Sequence, residues 1–141
     1  MPIYIQDIMQ AEVTSVPLGS TVEQSETIML NTDRRCVPVL DDQGECVGVL
    51  SHSDILRARN TKKDVASIWV KDIMSRNIIS VTPRSSVDNT MQLMLDKGIH
   101  HILVLQEKKV CGIVSVIDLI QVEKARTFNP FAEPEPCATA H

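Results

Sequence analysis

Gly48-Val49-Leu50-Ser51-His52-Ser53-Asp54 returns 64 positions later as Gly112-Ile113-Val114-Ser115-Val116-Ile117-Asp118. Each copy is an apolar, strand-like run that ends on a serine and passes into a helix-like run. Glycine, serine and aspartate stand three residues apart in both. Outward from this stretch the register holds. Asp7-Ile8-Met9 recurs as Asp72-Ile73-Met74, Ser15-Val16 as Ser80-Val81, Val22 as Val87 and Met29-Leu30 as Met94-Leu95, all at a spacing of 65. One residue is lost in the turn after Leu105. Since both ends of the unit recur, the chain is two copies of one supersecondary unit, and the groove between them is the natural place for a ligand.

The chain has 141 residues, 43% of them hydrophobic, which is the size of one domain with a closed core. Two units of about 60 residues would each be marginal alone, so they are expected to share that core. Each unit opens on a short amphipathic turn ending in Asp-Ile-Met, followed by a brief apolar run at 13–16 or 78–81. Ser20 with Glu23, and Ser85 with Asp88, have the spacing of an N-terminal capping box before a helix. In the second helix Val87, Met91, Met94 and Leu95 form one apolar face, and Gly98 follows where a left-handed cap is wanted. The first copy has Glu26 in place of Met91 and Asp33 in place of Gly98. Two hairpins follow, 36–40 with 45–50 and 101–105 with 109–114, then helices at 53–59 and 116–124. The expected division is a first repeat at 1–60, a linker at 61–69, a second repeat at 70–126 and a disordered tail at 127–141 rich in proline, acidic and small residues. Trp69 is expected at the interface between the halves.

The formal charge of −4, from 14 basic and 18 acidic side chains, supplies no broad positive field for nucleic acid or an anionic membrane. Trp69, Tyr4, Phe128 and Phe131 are too scattered to build a base-stacking platform. No stretch is long and apolar enough to span a bilayer, and the opening residues lack the form of a secretory signal, so a cytoplasmic protein is expected. Cys36, Cys46, Cys111 and Cys137 form no Cys-x-x-Cys pair and read as buried, reduced and inert. His100 and His101 are adjacent on a strand and face opposite sides, so they cannot hold one metal ion together. No metal site and no catalytic nucleophile–base set is expected.

The chemistry lies in the duplicated motif. A serine at the start of a helix sits beside unpaired backbone N–H groups and the positive end of the helix dipole, where a phosphate can bind. Asp54 and Asp118, one turn on, can accept two hydroxyl hydrogen bonds from a ribose. Glycine at 48 and 112 would let a ligand lie against the backbone. The competing reading of a serine followed three residues later by an acid is an ordinary helix cap.

The Asp-Ile-Met openings, Val37-Pro38-Val39 and the two Gly-x-x-Ser-x-x-Asp runs resemble the tandem CBS-domain, or Bateman, module over residues 3 to about 124. The resemblance implies an α+β fold: two β-α-β-β-α repeats related by a pseudo-two-fold axis, packed through their sheets, with two clefts between them. It implies a freestanding regulatory module, not an enzyme. Such a module binds an adenosine-containing ligand (AMP, ADP, ATP or S-adenosylmethionine), pairs into a disc-like homodimer and signals to a partner protein not identifiable from the sequence. By the same resemblance Asp54 and Asp118 match the ribose-binding aspartates, and Ser51 and Ser115 the hydroxyl that meets phosphate. Ser15 and Ser80 match the polar position of the first strand, and Val37, Pro38 and Ile102 the strand that lines the cleft. Leu103 stands where the family usually has proline, and Ser53 and Ile117 where phosphate-binding members often have arginine. Arg35, His100 and His101 are candidate substitutes, alongside Arg34, His52, Arg57 and Arg84. These departures motivate the alternative, a scaffold module with empty clefts that acts through homodimerisation.

Overall fold

The computed structural model describes residues 3–61 and 64–127. The expected tail therefore lies outside the described residues, apart from the helical Thr127 at its start. Each half has a three-stranded sheet. In the first, β1 (Val16–Pro17) runs parallel to β2 (Cys36–Leu40), which pairs antiparallel with β3 (Cys46–Ser51). In the second, β4 (Ser80–Val81), β5 (His101–Gln106) and β6 (Lys109–Ser115) repeat that order. Helix α1 (Val22–Thr32) crosses from β1 to β2, and α2 (His52–Arg59) follows β3. A short α3 (Val70–Ile73) leads to the second unit, where α4 (Val87–Lys97) and α5 (Val116–Thr127) complete the pattern.

The helices start one residue later than the serine spacing suggests. Thr21 and Ser86 are the caps, each accepting a hydrogen bond from the N–H three residues on. Ser20 and Ser85 instead use their carbonyls to accept from Val70 and Ile5. Both helices end in a left-handed residue, Gly98 at φ 65° as expected and Asp33 at φ 54° in the other copy. Val87 and Met94 are buried, but Leu95 lies on the outer edge of the α4 stripe, in solvent. The shortened second hairpin turns on Glu107 and Lys108, both at positive φ, as a two-residue turn matched to strand twist requires.

The core is not shared as expected. Two buried clusters form, one per half, and each is completed by the opening segment of the other repeat unit. Ile5 is fully buried among Val87, Ile102, Val104 and Leu119 of the second half. Ile68, Val70 and Met74 are buried with Val16, Val22 and Leu50 of the first. The backbone frames match: Val87 N–H donates to Ile3 and Ile5 N–H to Ser85, as Val22 donates to Ile68 and Val70 to Ser20.

This exchange explains the glycines of the duplicated motif. A Cβ on Gly48 would stand 2.7 Å from Met74 Sδ and from the Ser75 carbonyl, and one on Gly112 would stand 2.7 Å from the Gln10 carbonyl. The close approach is to the exchanged segment, not to a ligand. Trp69 likewise is not between the halves. It bridges to Thr21 within the first half and is 46% exposed.

Candidate functional site

Ser51 and Ser115 end β3 and β6 and cap the helices that follow. Ser51 N–H donates to Asp54 Oδ2 at 2.9 Å, and Asp54 N–H donates to Ser51 Oγ at 3.2 Å. Ser115 and Asp118 repeat the pair at 2.9 and 3.1 Å. Each pair is a reciprocal cap that satisfies two orphan donors. One carboxylate oxygen of each aspartate is thus committed to backbone.

The second oxygens differ. Asp54 is buried, and its Oδ1 accepts from the Arg57 guanidinium. The corresponding position in the second half is Gln121. Among the described residues no ion pair reaches Asp118, which is half-buried.

Between the sheets runs a crevice of about 150 Å³ lined by equivalent residues of both halves: Cys36 with His101, Val37 with Ile102, Pro38 with Leu103 and Val49 with Ile113. Asn77, Ile79 and Ile99 extend it into the second half. Ser51, Asp54, Ser115 and Asp118 are not among the residues that line the crevice; Ser51 and Ser115 are paired in strand register with Cys36 and His101, which do line it. Cys36 is accessible to solvent, not buried as expected. Protein around its thiol, with the negative charge of Asp54 adding to it, still raises its pKa above the ordinary 9.0. Cys46 is buried, and desolvation raises its thiol too.

The positions equivalent to Asn77, Ile79 and Ile99 are Glu12, Thr14 and Arg34, and these line a wider, open cleft together with Gln10, Ala11, Val13 and Thr32. The crevice thus extends asymmetrically: its extension in the second half is largely apolar, whereas the equivalent positions of the first half open into a polar cleft with a carboxylate and a guanidinium.

Val37, Pro38 and Ile102 line the apolar crevice, and His101 sits on its rim. Ser15 and Ser80 are half-buried; Ser80 pairs with Leu103, and its neighbour Ile79 reaches the crevice. Arg35 and His52 line a groove on the outer α1–α2 face, and His100 lies in the apolar groove between α4 and α5. Arg84 stacks on Tyr4. Sequence reasoning passed over Asn77 and Ile99 and reached Ile79 only as part of the apolar run at 78–81. The signal for them was the mismatch with Glu12, Thr14 and Arg34 when the copies are laid on one another. Among the described residues no cluster of His, Cys, Asp and Glu could hold a metal ion, and no helix is long and apolar enough to cross a membrane.

The family model for the CBS domain matches residues 5–61 and 70–124. The Bacillus subtilis protein YlbB is 29% identical over 116 residues, covering 82% of this chain and 78% of its own. The fold is that of a putative acetoin utilization protein from Vibrio cholerae, at a TM-score of 0.80 and 20% identity over 92% of this chain and 100% of that one. It is also that of the CBS domain pair of protein MJ0100, solved in complex with 5′-methylthioadenosine and S-adenosyl-L-methionine, at a TM-score of 0.76 and 21% identity over 89% and 99% of the two chains.

Proposed function

The chain belongs to the CBS domain family through both of its repeats, and on that premise we propose that it is a non-catalytic regulatory module that binds an adenosine-containing ligand between the repeats and signals to a partner protein. The observation that carries this reading is the apolar crevice lined by equivalent residues of both repeats, two of which, Cys36 and His101, pair in strand register with Ser51 and Ser115. The flat base enters between Val37, Pro38, Ile79 and Ile102. The ribose lies at the mouth, where Asp118, without an arginine on its carboxylate, is the better acceptor than Asp54. At about 150 Å³ the crevice is smaller than the 300–1,000 Å³ typical of whole ligands. It takes part of the molecule, and the remainder rests outside.

That remainder meets few cations. Of the candidate phosphate contacts only His101 borders the crevice; Arg34 lines the open polar cleft, Arg57 is paired with Asp54, Arg84 stacks on Tyr4, and Arg35, His52 and His100 line outer grooves. This favours S-adenosylmethionine or AMP over ADP and ATP. The ligand pair seen with MJ0100, both lacking phosphate, points to S-adenosylmethionine among these. Function in the cytoplasm as a homodimer belongs to the same proposal.

Isothermal titration with AMP, ADP, ATP and S-adenosylmethionine is the test. Binding should add about 2.7 kcal/mol of stability at a hundredfold excess over Kd, and Asp118→Ala should weaken it more than Asp54→Ala. Titrations without heat for all four, with no thermal shift, remove the reading. The alternative, a scaffold with an empty crevice, is favoured by the commitment of both Ser–Asp pairs to helix capping. It requires that partner capture be unchanged when both aspartates are replaced by asparagine.

A further inference from the structure

The two halves differ at one aromatic position in a way that marks a vacant contact. Tyr4 and Trp69 are equivalent: each forms a backbone bridge to a helix cap, Tyr4 to Ser86 and Trp69 to Thr21. In the second half the Arg84 guanidinium lies 5.0 Å from the centre of the Tyr4 ring, a cation–π contact. The residue equivalent to Arg84 in the first half is Gly19. Trp69 is therefore left uncovered, 46% exposed, in an open groove of about 370 Å³ that Gly19 and Leu18 line on one side and the Asp41–Gln43 turn on the other.

The charge of this groove matches the missing group. Asp41 and Asp42 line it where the second half has Gln106 and Glu107. Lys71 also borders it, so it holds two carboxylates against one ammonium, and the nearby Lys109 is engaged on the Gln43 carbonyl. Asp41 Oδ1 accepts from the Gln43 and Glu45 N–H groups, which fixes the turn, while Asp42 is exposed at the rim. Indole is the strongest cation–π partner among the side chains, and arginine stacks on it as readily as on tyrosine.

We propose that the Trp69 groove is a docking site for an arginine side chain on a basic segment of a partner protein, a place that Arg84 fills from within on the opposite half. The site is separate from the crevice and does not depend on nucleotide binding.

Trp69 is the only tryptophan, so its emission reports the site directly. The probe is acetyl-Gly-Arg-Arg-Gly-amide, titrated against the same peptide with citrulline in place of arginine. The arginine peptide should change Trp69 emission saturably, and the citrulline peptide should bind about five-fold or more weakly, the size of one cation–π contact. A side chain at position 19 meets nothing within 4 Å of its Cβ, so Gly19→Arg can be accommodated. It should shift the emission of the free protein and abolish the peptide response. Asp42→Lys, on the exposed turn, should weaken the response while leaving the fold intact. Equal responses to the two peptides, no response to either, or an undiminished response in both variants overturns the proposal.

Discussion

At the scale of single residues, Cys36 and Cys46 carry a cost that appears only at alkaline pH. Both thiols have pKa values raised by burial, and Cys36 is raised further by Asp54. A thiol whose pKa is higher folded than unfolded holds its proton more tightly in the native state. Its contribution to stability is complete below the unfolded value and is lost as pH rises through the folded one. Stability should therefore fall above about pH 9, and the Cys36→Ser/Cys46→Ala double variant should lose less over that range. Urea denaturation of both proteins between pH 8 and 10.5 checks this, and parallel losses would show that the thiols are not responsible. The same residues show where composition misled. A cysteine in an apolar run reads as buried, which holds for Cys46, but Cys36 begins its strand at the crevice and stays accessible.

At the scale of elements, strands, hairpins and helices were legible because duplication supplies each signal twice. Two copies of a capped apolar stripe, Val22 to Met29 and Val87 to Met94, leave little room for another assignment. What spacing does not carry is which core receives the opening segment, because periodicity records order along the chain and not the partner across space. The glycines at 48 and 112 held that information, since a residue without Cβ announces a close approach, but not whose backbone approaches. The inequality of the clefts was visible in the alignment of Glu12, Thr14 and Arg34 with Asn77, Ile79 and Ile99, but that these residues meet at clefts required the fold. The exchange makes a firm prediction. Ile5→Ala lies at the edge of the chain yet removes a fully buried side chain from the second half's core, so it should cost about 2–4 kcal/mol, as core truncations do. Chemical denaturation measures it. A cost below about 0.5 kcal/mol, the level of an ordinary surface change, would mean that the segment merely lies on the surface.

At the scale of the whole molecule, the two cores leave a large apolar area on the outer helical faces. Leu30 and Leu95, equivalent residues of α1 and α4, are 74% and 71% exposed, and Ile117 and Ile120 of α5 are 63% and 54% exposed. Scattered surface leucines need no explanation, but Leu95 and Ile120 together border a groove between α4 and α5 that Met91, Met94 and Leu119 also line. The α1–α2 face is more polar, with Glu26 paired to Arg59 and with Asp33, Arg34, Arg35 and His52 around its groove. A two-fold dimer presents the same patch from both copies, so the apolar α4–α5 faces would meet at its centre and the α1–α2 faces at its rim. Charge placed at the centre should then break the assembly, whereas charge at the rim should be tolerated. Light scattering of the wild type is expected to give twice the chain mass. Ile120→Asp should return the mass of one chain with the fold intact, and Arg35→Glu on the polar face should leave the assembly in place. A wild type that scatters as a single chain at micromolar concentration would refute the pairing and leave the α4–α5 face to another protein.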